Sequence, residues 1–307
     1  MNFVLRFGAR GPSQHSTKAA AIRAPPSAMS LSASKPLYST LDISGQVALI
    51  TGASAGIGEA CAWRFAEAGA VLVLIGRRTE RLATLSAALK EAYPSIVEPH
   101  CVTLDVQDVA AIEALPAQLP PAYANVNILV NNAGLALGVA GAADNKMSDV
   151  AQMISTNVTG LIAFCSAFLP GMRARGSGHL INIGSIAGHE AYAGGSVYCA
   201  TKYAVNAFTM AARHDLVGTP IRVTAISPGM VKTDFSVVRF GGDQATADKV
   251  YEDIEPLVAA DIADNVMYAA TRPKHVQIAD LIVLATNQAA AKVVARVGPS
   301  LGAPSLQ

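Results

Sequence analysis

The sequence predicts an α/β fold, a doubly wound parallel sheet of seven strands in a single domain. Strand-length runs recur near residues 47–51, 71–75, 100–104, 127–131, 179–184, 222–227 and 277–285, with helix-length segments between them. Parallel neighbours require crossover connections of that length. Each run is also nearly continuous in apolar residues, as befits strands buried on both faces. The 307 residues suit one large core, because sheets of this type run as units of roughly 200 to 250 residues.

The first run, Val47-Ala48-Leu49-Ile50, leads into Thr51-Gly52-Ala53-Ser54-Ala55-Gly56-Ile57-Gly58 and then an alanine-rich segment with Trp63 and Phe65. Strand, glycine turn and helix in that order let backbone approach a pyrophosphate, while the helix start supplies free N–H groups and a positive dipole end. The spacing is Gly-x-x-x-Gly-x-Gly, not the general Gly-x-Gly-x-x-Gly, and a plain tight turn is the competing reading. The second run, Val71 to Ile75, ends in Gly76-Arg77-Arg78, and the third is followed by Asp105 and Val106. The fourth run precedes Asn131-Asn132-Ala133-Gly134, the fifth ends at Ser185, and the sixth leads to Pro228-Gly229. Ligand is expected beyond the carboxyl ends of such strands, where Gly52, Asn132, Ser185 and Pro228 all fall.

Between Gly229 and Leu257 the pattern lapses into a mixed polar stretch with Lys232, Asp234, Gly241, Gly242, Asp243 and Lys249, longer than most ordered connections. A mobile lid over the substrate and a passive surface excursion are both open here. After the seventh run, residues 287–307 have weak helical periodicity and then Gly298, Pro299, Gly302 and Pro304, which predicts a loosely ordered tail. The expected organisation is a catalytic domain over 42–286, with residues 1–41 before it and that tail after it.

Net charge of +1 with 15% charged residues offers no field suited to nucleic acid, and 51% hydrophobic residues indicate a well-buried interior that also suits an oligomer. Cys61, Cys101, Cys165 and Cys199 are widely spaced, suggesting buried residues or free thiols and neither a disulfide framework nor a metal site. No apolar stretch is expected to span a membrane. Residues 1–41 contain Arg6, Arg10, Lys18, Arg23 and Lys35, no Asp or Glu, and much Ser and Ala. That is the composition of an organellar transit peptide; mitochondrion is preferred over plastid, with a disordered tail of a cytoplasmic protein as the alternative.

Tyr198 and Lys202 carry the chemistry. They lie four residues apart, and on a helix positions i and i+4 share a face. A lysine ammonium held there favours tyrosinate, drawing the phenol from about 10 toward neutrality and making it a proton donor and acceptor for a carbinol oxygen. An ordinary solvated helix face gives the same spacing.

The glycine motif, Asn131-Asn132-Ala133-Gly134, Asn157, Ser185, the Tyr198/Lys202 pair and Pro228-Gly229, in this order over roughly residues 44–285, resemble the short-chain dehydrogenase/reductase superfamily. Gly76-Arg77-Arg78, the loop from Asn132 to Gly138, the stretch Tyr192 to Tyr198 and Phe235 to Phe240 are similar to its NADP-dependent 3-hydroxy acid (serine) dehydrogenases. The resemblance implies a Rossmann fold, a homotetramer and a catalytic set of Asn157, Ser185, Tyr198 and Lys202. In it Tyr198 exchanges the substrate proton, Ser185 holds the substrate oxygen, Lys202 lowers the tyrosine and bonds the nicotinamide ribose, and Asn157 anchors a water that links Lys202 to solvent.

NADP is the expected cofactor. No carboxylate follows the second strand where NAD-preferring sites offer one, and Arg77 and Arg78 suit a 2'-phosphate; solvation of the next helix start is their alternative. Gly52, Ser54, Ala55, Gly56, Ile57 and Gly58 form the expected cradle. Asp105 with Val106 meets the adenine by resemblance, Asp105 as a helix N-cap being a rival reading. Asn132, Ala133, Gly134, Tyr198, Lys202, Pro228, Gly229, Val231 and Thr233 complete the set, with Pro228, Gly229 and Thr233 bordering the nicotinamide and Val231 packing beside them. For a hydroxy acid the site needs a cation, and Arg239 is the candidate, with His189, Glu190 and Tyr192 as further pocket residues. The expected function is hydride transfer between a 3-hydroxy acid such as serine and NADP. Alternatives are a carbonyl or 3-oxoacyl reductase and, in another class, a non-catalytic NADP-binding regulator.

Overall fold

The structure is a computed structural model that describes residues 38–298. From Thr40 the described chain forms one compact unit. The targeting or disordered segment expected over 1–41 lies, apart from its last four residues, outside the described residues.

The strands of the main sheet are β1 (Val47–Thr51), β2 (Val71–Gly76), β3 (His100–Thr103), β4 (Val126–Asn131), β5 (Gly178–Ile183), β6 (Ile221–Pro228) and, after two short strands, β9 (Asp280–Val283). Their order is β3-β2-β1-β4-β5-β6-β9, and every pairing is parallel. The seven expected strands are all present. The last is shorter than 277–285, because the side chain of Gln277 accepts the Val223 N–H at 2.8 Å in place of a backbone partner.

Helices α1 (Gly56–Glu67), α2 (Thr79–Ala92) and α9 (Ala259–Ala270) cover one face. There Ala48, Ile50, Leu72 and Leu74 pack with Phe65, Leu82, Leu89 and Val266. Helices α3 (Val109–Gln118), α5 (Leu161–Arg175) and α6 (Ser196–Asp215) cover the other. There Leu49, Val73, Ile75 and Leu180 pack with Ile112, Phe164, Phe168 and Val205. Successive residues of a strand point to opposite faces, so a run apolar at every position feeds two cores. Val71 to Gly76 are all buried.

The short helix α4 (Met147–Ile154), a π-helical turn (Ser155–Gly160) and α5 run on as one helix, and Met147–Arg175 is long and apolar enough by length and composition to cross a membrane. That corrects the expectation that no stretch is. Half of its most apolar window is buried inside the protein, with Leu161, Phe164, Phe168 and Met172 in the second core. This is the signature of a core helix.

The polar stretch after β6 has its own architecture. Strand β7 (Val231–Lys232) pairs with β8 (Leu257–Val258), and α7 (Phe235–Arg239) and α8 (Gln244–Lys249) lie between them. The tail is held, not loose, through residue 298: Ala295 N donates to Asn287 O at 2.8 Å and Gly298 N to Asp253 O at 3.0 Å. The periodicity seen after Asn287 yields a hairpin bridge, Gln288 with Val294, because Gln288 is drawn into the interior, 5% exposed, by the Met230 N–H.

Candidate active site

The strand order reverses between β1 and β4, the crevice where ligands of such sheets bind. Gly52 and Asn132 face each other there. Asn132 Nδ2 donates to Thr51 O at 2.9 Å, and the Thr51 hydroxyl accepts the N–H groups of Asn132 and Ala133, each at 3.0 Å. Thr51 therefore fixes the turn after β4 to the end of β1, a role no motif spacing discloses.

Each glycine of the β1–α1 turn has its own reason. Gly52 is left-handed (φ +67°) and a Cβ there would stand 2.9 Å from Asn132 Nδ2. Gly56 is also left-handed (φ +58°), with Thr233 3.4 Å from its Cβ position. At Gly58 a Cβ would overlap the Gly52 carbonyl oxygen. The N-cap of α1, Ala55, offers no side-chain cap, leaving the first N–H groups, Ile57 and Gly58 among them, free for an anion. A dinucleotide pyrophosphate fits this cradle.

Beyond β2 the two arginines divide. Arg78 turns back onto the glycine turn, its Nε and one terminal nitrogen donating to Ser54 Oγ at 3.2 and 3.0 Å, and to Ser54 O at 3.3 Å. Desolvation, with Arg81 nearby, lowers its pKa. Arg77, exposed, pairs with the half-buried Asp105 at 3.6 Å. Gly76 keeps the corner open, since a Cβ there would lie 3.3 Å from Ser54 Oγ. No carboxylate occupies the end of β2, so the corner fits a 2'-phosphate. Asp105 caps its own turn by accepting Gln107 N at 3.0 Å, whereas the cap of α3 is Asp108, bonded to Ala111 N. The N-cap alternative for Asp105 is thus replaced by its neighbour. Val106 sits with its carbonyl against Gly160.

At the other end Asn157, Ser185 and Lys202 are buried, 1%, 8% and 6% exposed, and Tyr198 is partly buried. Asn157 lies in the π turn, a frequent interruption at functional sites. Its Oδ1 accepts Leu135 N at 2.8 Å, and its Nδ2 donates to Leu135 O at 2.8 Å and Thr201 Oγ1 at 3.1 Å. Both amide hydrogens are therefore committed to protein, and the side chain clamps the loop after β4. Gly134 lies between the Asn157 amide oxygen and Lys202 Nζ, 3.4 and 3.7 Å from its Cβ position.

Lys202 Nζ donates to Ile183 O at 2.9 Å and stands 5.9 Å from the centre of the Tyr198 ring. Burial lowers Lys202 to about 8. Burial also raises Tyr198 above its ordinary value, against the downward pull of its Ser185 hydrogen bond and the Arg239 charge. Desolvation, which disfavours the phenolate, is the largest influence on this phenol. Ser185 Oγ accepts Ala187 N at 3.1 Å and donates to Pro228 O at 3.4 Å.

The stretch after β6 arches over this tyrosine. Phe235 meets the Tyr198 ring edge-on at 5.6 Å, and the Arg239 guanidinium is 5.8 Å from the same ring. Arg239 donates to Gly138 O, Tyr192 Oη and Gly194 O, each at 3.1 Å, tying three loops together. Three of its five N–H groups are used and two remain. Gly229 closes against Gln288, Val231 O accepts from Tyr251 at 2.8 Å, and Thr233 faces the glycine turn. His189 is wired to Asn206, Ser227 and Asp280 at 3.0, 3.1 and 3.3 Å, behind Ser185, and Glu190 accepts Ala291 N at 2.9 Å. Cys61 and Cys165 are held by burial near 12.

A family model described as short chain dehydrogenase matches residues 46–241. The chain is 43% identical over 255 residues to a Schizosaccharomyces pombe protein named NADP-dependent 3-hydroxy acid dehydrogenase, covering 83% of this chain and 98% of that one. It is 46% identical over 244 residues to sulfoacetaldehyde reductase 2 of Chromohalobacter salexigens, covering 79% and 95%. Among solved structures it is similar to the closed form of serine dehydrogenase complexed with NADP+, with a TM-score of 0.77 and 44% identity over 80% of this chain and 97% of that one.

Proposed function

Because the chain belongs to the short-chain dehydrogenase/reductase family, we propose that it interconverts 3-hydroxy acids of the serine type and their 3-oxo acids with NADP as cofactor. It is an oxidoreductase of the alcohol dehydrogenase/reductase kind. The observation that carries the substrate class is Arg239, held over Tyr198 with two N–H groups unspent, the fork that a carboxylate fits. A sulfonate fits the same fork, and a relative named sulfoacetaldehyde reductase 2 supports it as a second substrate class.

Bound NADP supplies the acceptor for the hydride that leaves the carbinol carbon. Tyr198 takes the proton of the substrate hydroxyl at its Oη and returns one in reduction. Ser185 bonds the same substrate oxygen and keeps it against the phenol. Lys202, with one N–H on Ile183 O, has two left for a ribose hydroxyl and a proton relay. Arg78 and Ser54 would hold the 2'-phosphate, with Arg77 beside them, and the N-terminus of α1 would hold the pyrophosphate. Asn157 sets the backbone of Leu135 and, through Thr201, the helix carrying Tyr198 and Lys202.

The test is NADPH absorbance with NADP+ and serine or 3-hydroxypropionate, in wild type and Arg239→Ala. The variant is expected to raise KM for these acids by about 10- to 100-fold, the worth of a hydrogen bond to a charged group. Turnover of neutral alcohols but no hydroxy acid by wild type would refute the assignment.

We further propose a mitochondrial destination, supported by the basic, acid-free composition of residues 1–41, and a homotetramer. Exposed Tyr203 and Met210, two turns apart on α6, support an oligomer contact. A reporter fused to residues 1–41 that stays diffuse, or a monomer by light scattering, would refute the respective proposal.

A further inference from the structure

The C-terminal segment carries a second cation to the Tyr192 ring, which Arg239 also approaches. Gln288 and Val294 bridge antiparallel, and Ala290 and Val293 exchange hydrogen bonds of 3.4 and 3.3 Å, so Ala290–Val293 is a tight turn with Lys292 at its third position. The hairpin is pinned from outside. Gln288 Oε1 accepts Met230 N at 2.9 Å and its Nε2 donates to Ala290 O at 3.2 Å, while Ala291 N donates to the Glu190 carboxylate at 2.9 Å.

Lys292 Nζ thereby stands 4.7 Å from the centre of the Tyr192 ring, the ring whose hydroxyl accepts from Arg239 at 3.1 Å. Burial and then the Arg239 charge lower the Lys292 pKa. Among the described residues neither Arg239 nor Lys292 forms an ion pair. Two cations converging on one aromatic side chain repel one another, and an anion received between them removes that penalty.

We infer that Lys292 is a second substrate-anchoring cation, sharing with Arg239 the acid group of the substrate, so that the C-terminal hairpin forms one wall of the substrate pocket. This rests on the hydroxy-acid reading above, in which Arg239 supplies the first grip. Lys292 would act on affinity and selectivity for anionic substrates, with the proton chemistry left to Tyr198.

The test compares 3-hydroxypropionate with 2-butanol, a neutral secondary alcohol, in wild type, Lys292→Met and Lys292→Arg. Lys292→Met is expected to raise KM for the acid about tenfold more than KM for the alcohol, the scale of one charge-assisted hydrogen bond, and Lys292→Arg to recover most of that difference. Equal changes in the two KM values, or none, would overturn the inference. Calorimetric binding of propionate to the NADPH-loaded protein judges it separately from turnover. Propionate affinity lowered about tenfold by Lys292→Met supports it, and affinity unchanged by the substitution, or no propionate binding to wild type, overturns it. Absence of hydroxy-acid turnover by wild type would instead count against the functional reading.

Discussion

The ammonium of Lys202 is bonded to the carbonyl oxygen of Ile183 at 2.9 Å, at the end of β5 and thirteen residues before Ser196 opens the helix that carries it. The bond fixes where the positive charge sits but does not repay its burial. Lys202 falls from 10.5 to about 8, so the native state binds this proton less tightly than the unfolded chain. The resulting destabilisation is full below about pH 8 and fades as pH rises to 10.5. A shift of that size is on the order of 3 kcal/mol, offset by about 1–3 kcal/mol for the carbonyl that loses its partner. Lys202→Met is therefore expected to have a urea midpoint at pH 7 equal to or above that of wild type, the difference shifting in favour of wild type by pH 10.5, while turnover is lost. A midpoint well below wild type across that range would refute this balance.

Tyr198 is packed by Phe235 and Arg239 through its ring, so removing only the hydroxyl preserves those contacts. Tyr198→Phe is expected to lower kcat by about 10² to 10⁴, the usual worth of a positioned general acid. NADPH affinity, followed by its fluorescence, is expected to remain measurable. Turnover within tenfold of wild type would exclude Tyr198 as the proton donor.

The division of labour after β2 predicts unequal effects for adjacent arginines. Both are exposed, but Arg78 is braced by Ser54 through three hydrogen bonds, whereas Arg77 pairs with Asp105 at 3.6 Å. Arg78→Ala is expected to raise KM for NADPH by about 10- to 100-fold, on the scale of lost bonds to a charged group, with a much smaller effect on NADH. Arg77→Ala is expected to do less, because an exposed, screened charge contributes little. The reverse order in steady-state kinetics would contradict this assignment.

Gly58→Ala drives a methyl group into the Gly52 carbonyl oxygen and within 2.5 Å of Asn132 Nδ2. Overpacking of this kind costs about 1–3 kcal/mol and here also splays the cradle. Gly45→Ala meets nothing within 4 Å, although Gly45 is left-handed at φ +71°, so its cost is only the roughly 1–2 kcal/mol of that conformation. Urea unfolding with NADPH titration separates them: both variants lose stability, but Gly58→Ala alone is expected to lose cofactor affinity.

The sheet was legible in the sequence because a strand buried on both faces leaves a local mark, an apolar run such as Val71–Ile75. The glycine turn was legible for a similar reason, since its steric demands fall within eight consecutive residues. What lay beyond reach involved segments far apart in the chain. The hairpin at Gln288 appeared as faint helical periodicity, because its pairing answers to Met230, and the stretch after Gly229 read as irregular because its strands pair only with each other.

The sequence by itself determined the seven strands, the glycine turn after the first of them and the arginines without a carboxylate after β2. These depend on residue type and short spacing, whereas the set Asn157, Ser185, Tyr198 and Lys202 was implied by resemblance to the family. Only the tertiary structure decided that Asn157 spends its amide on Leu135 and Thr201, that Arg78 and not Arg77 grips Ser54, that burial outweighs the charges acting on Tyr198, and that Lys292 meets Arg239 at Tyr192. Desolvation and the meeting of charges are properties of three-dimensional surroundings assembled from distant segments, so spacing along the chain carries no record of them.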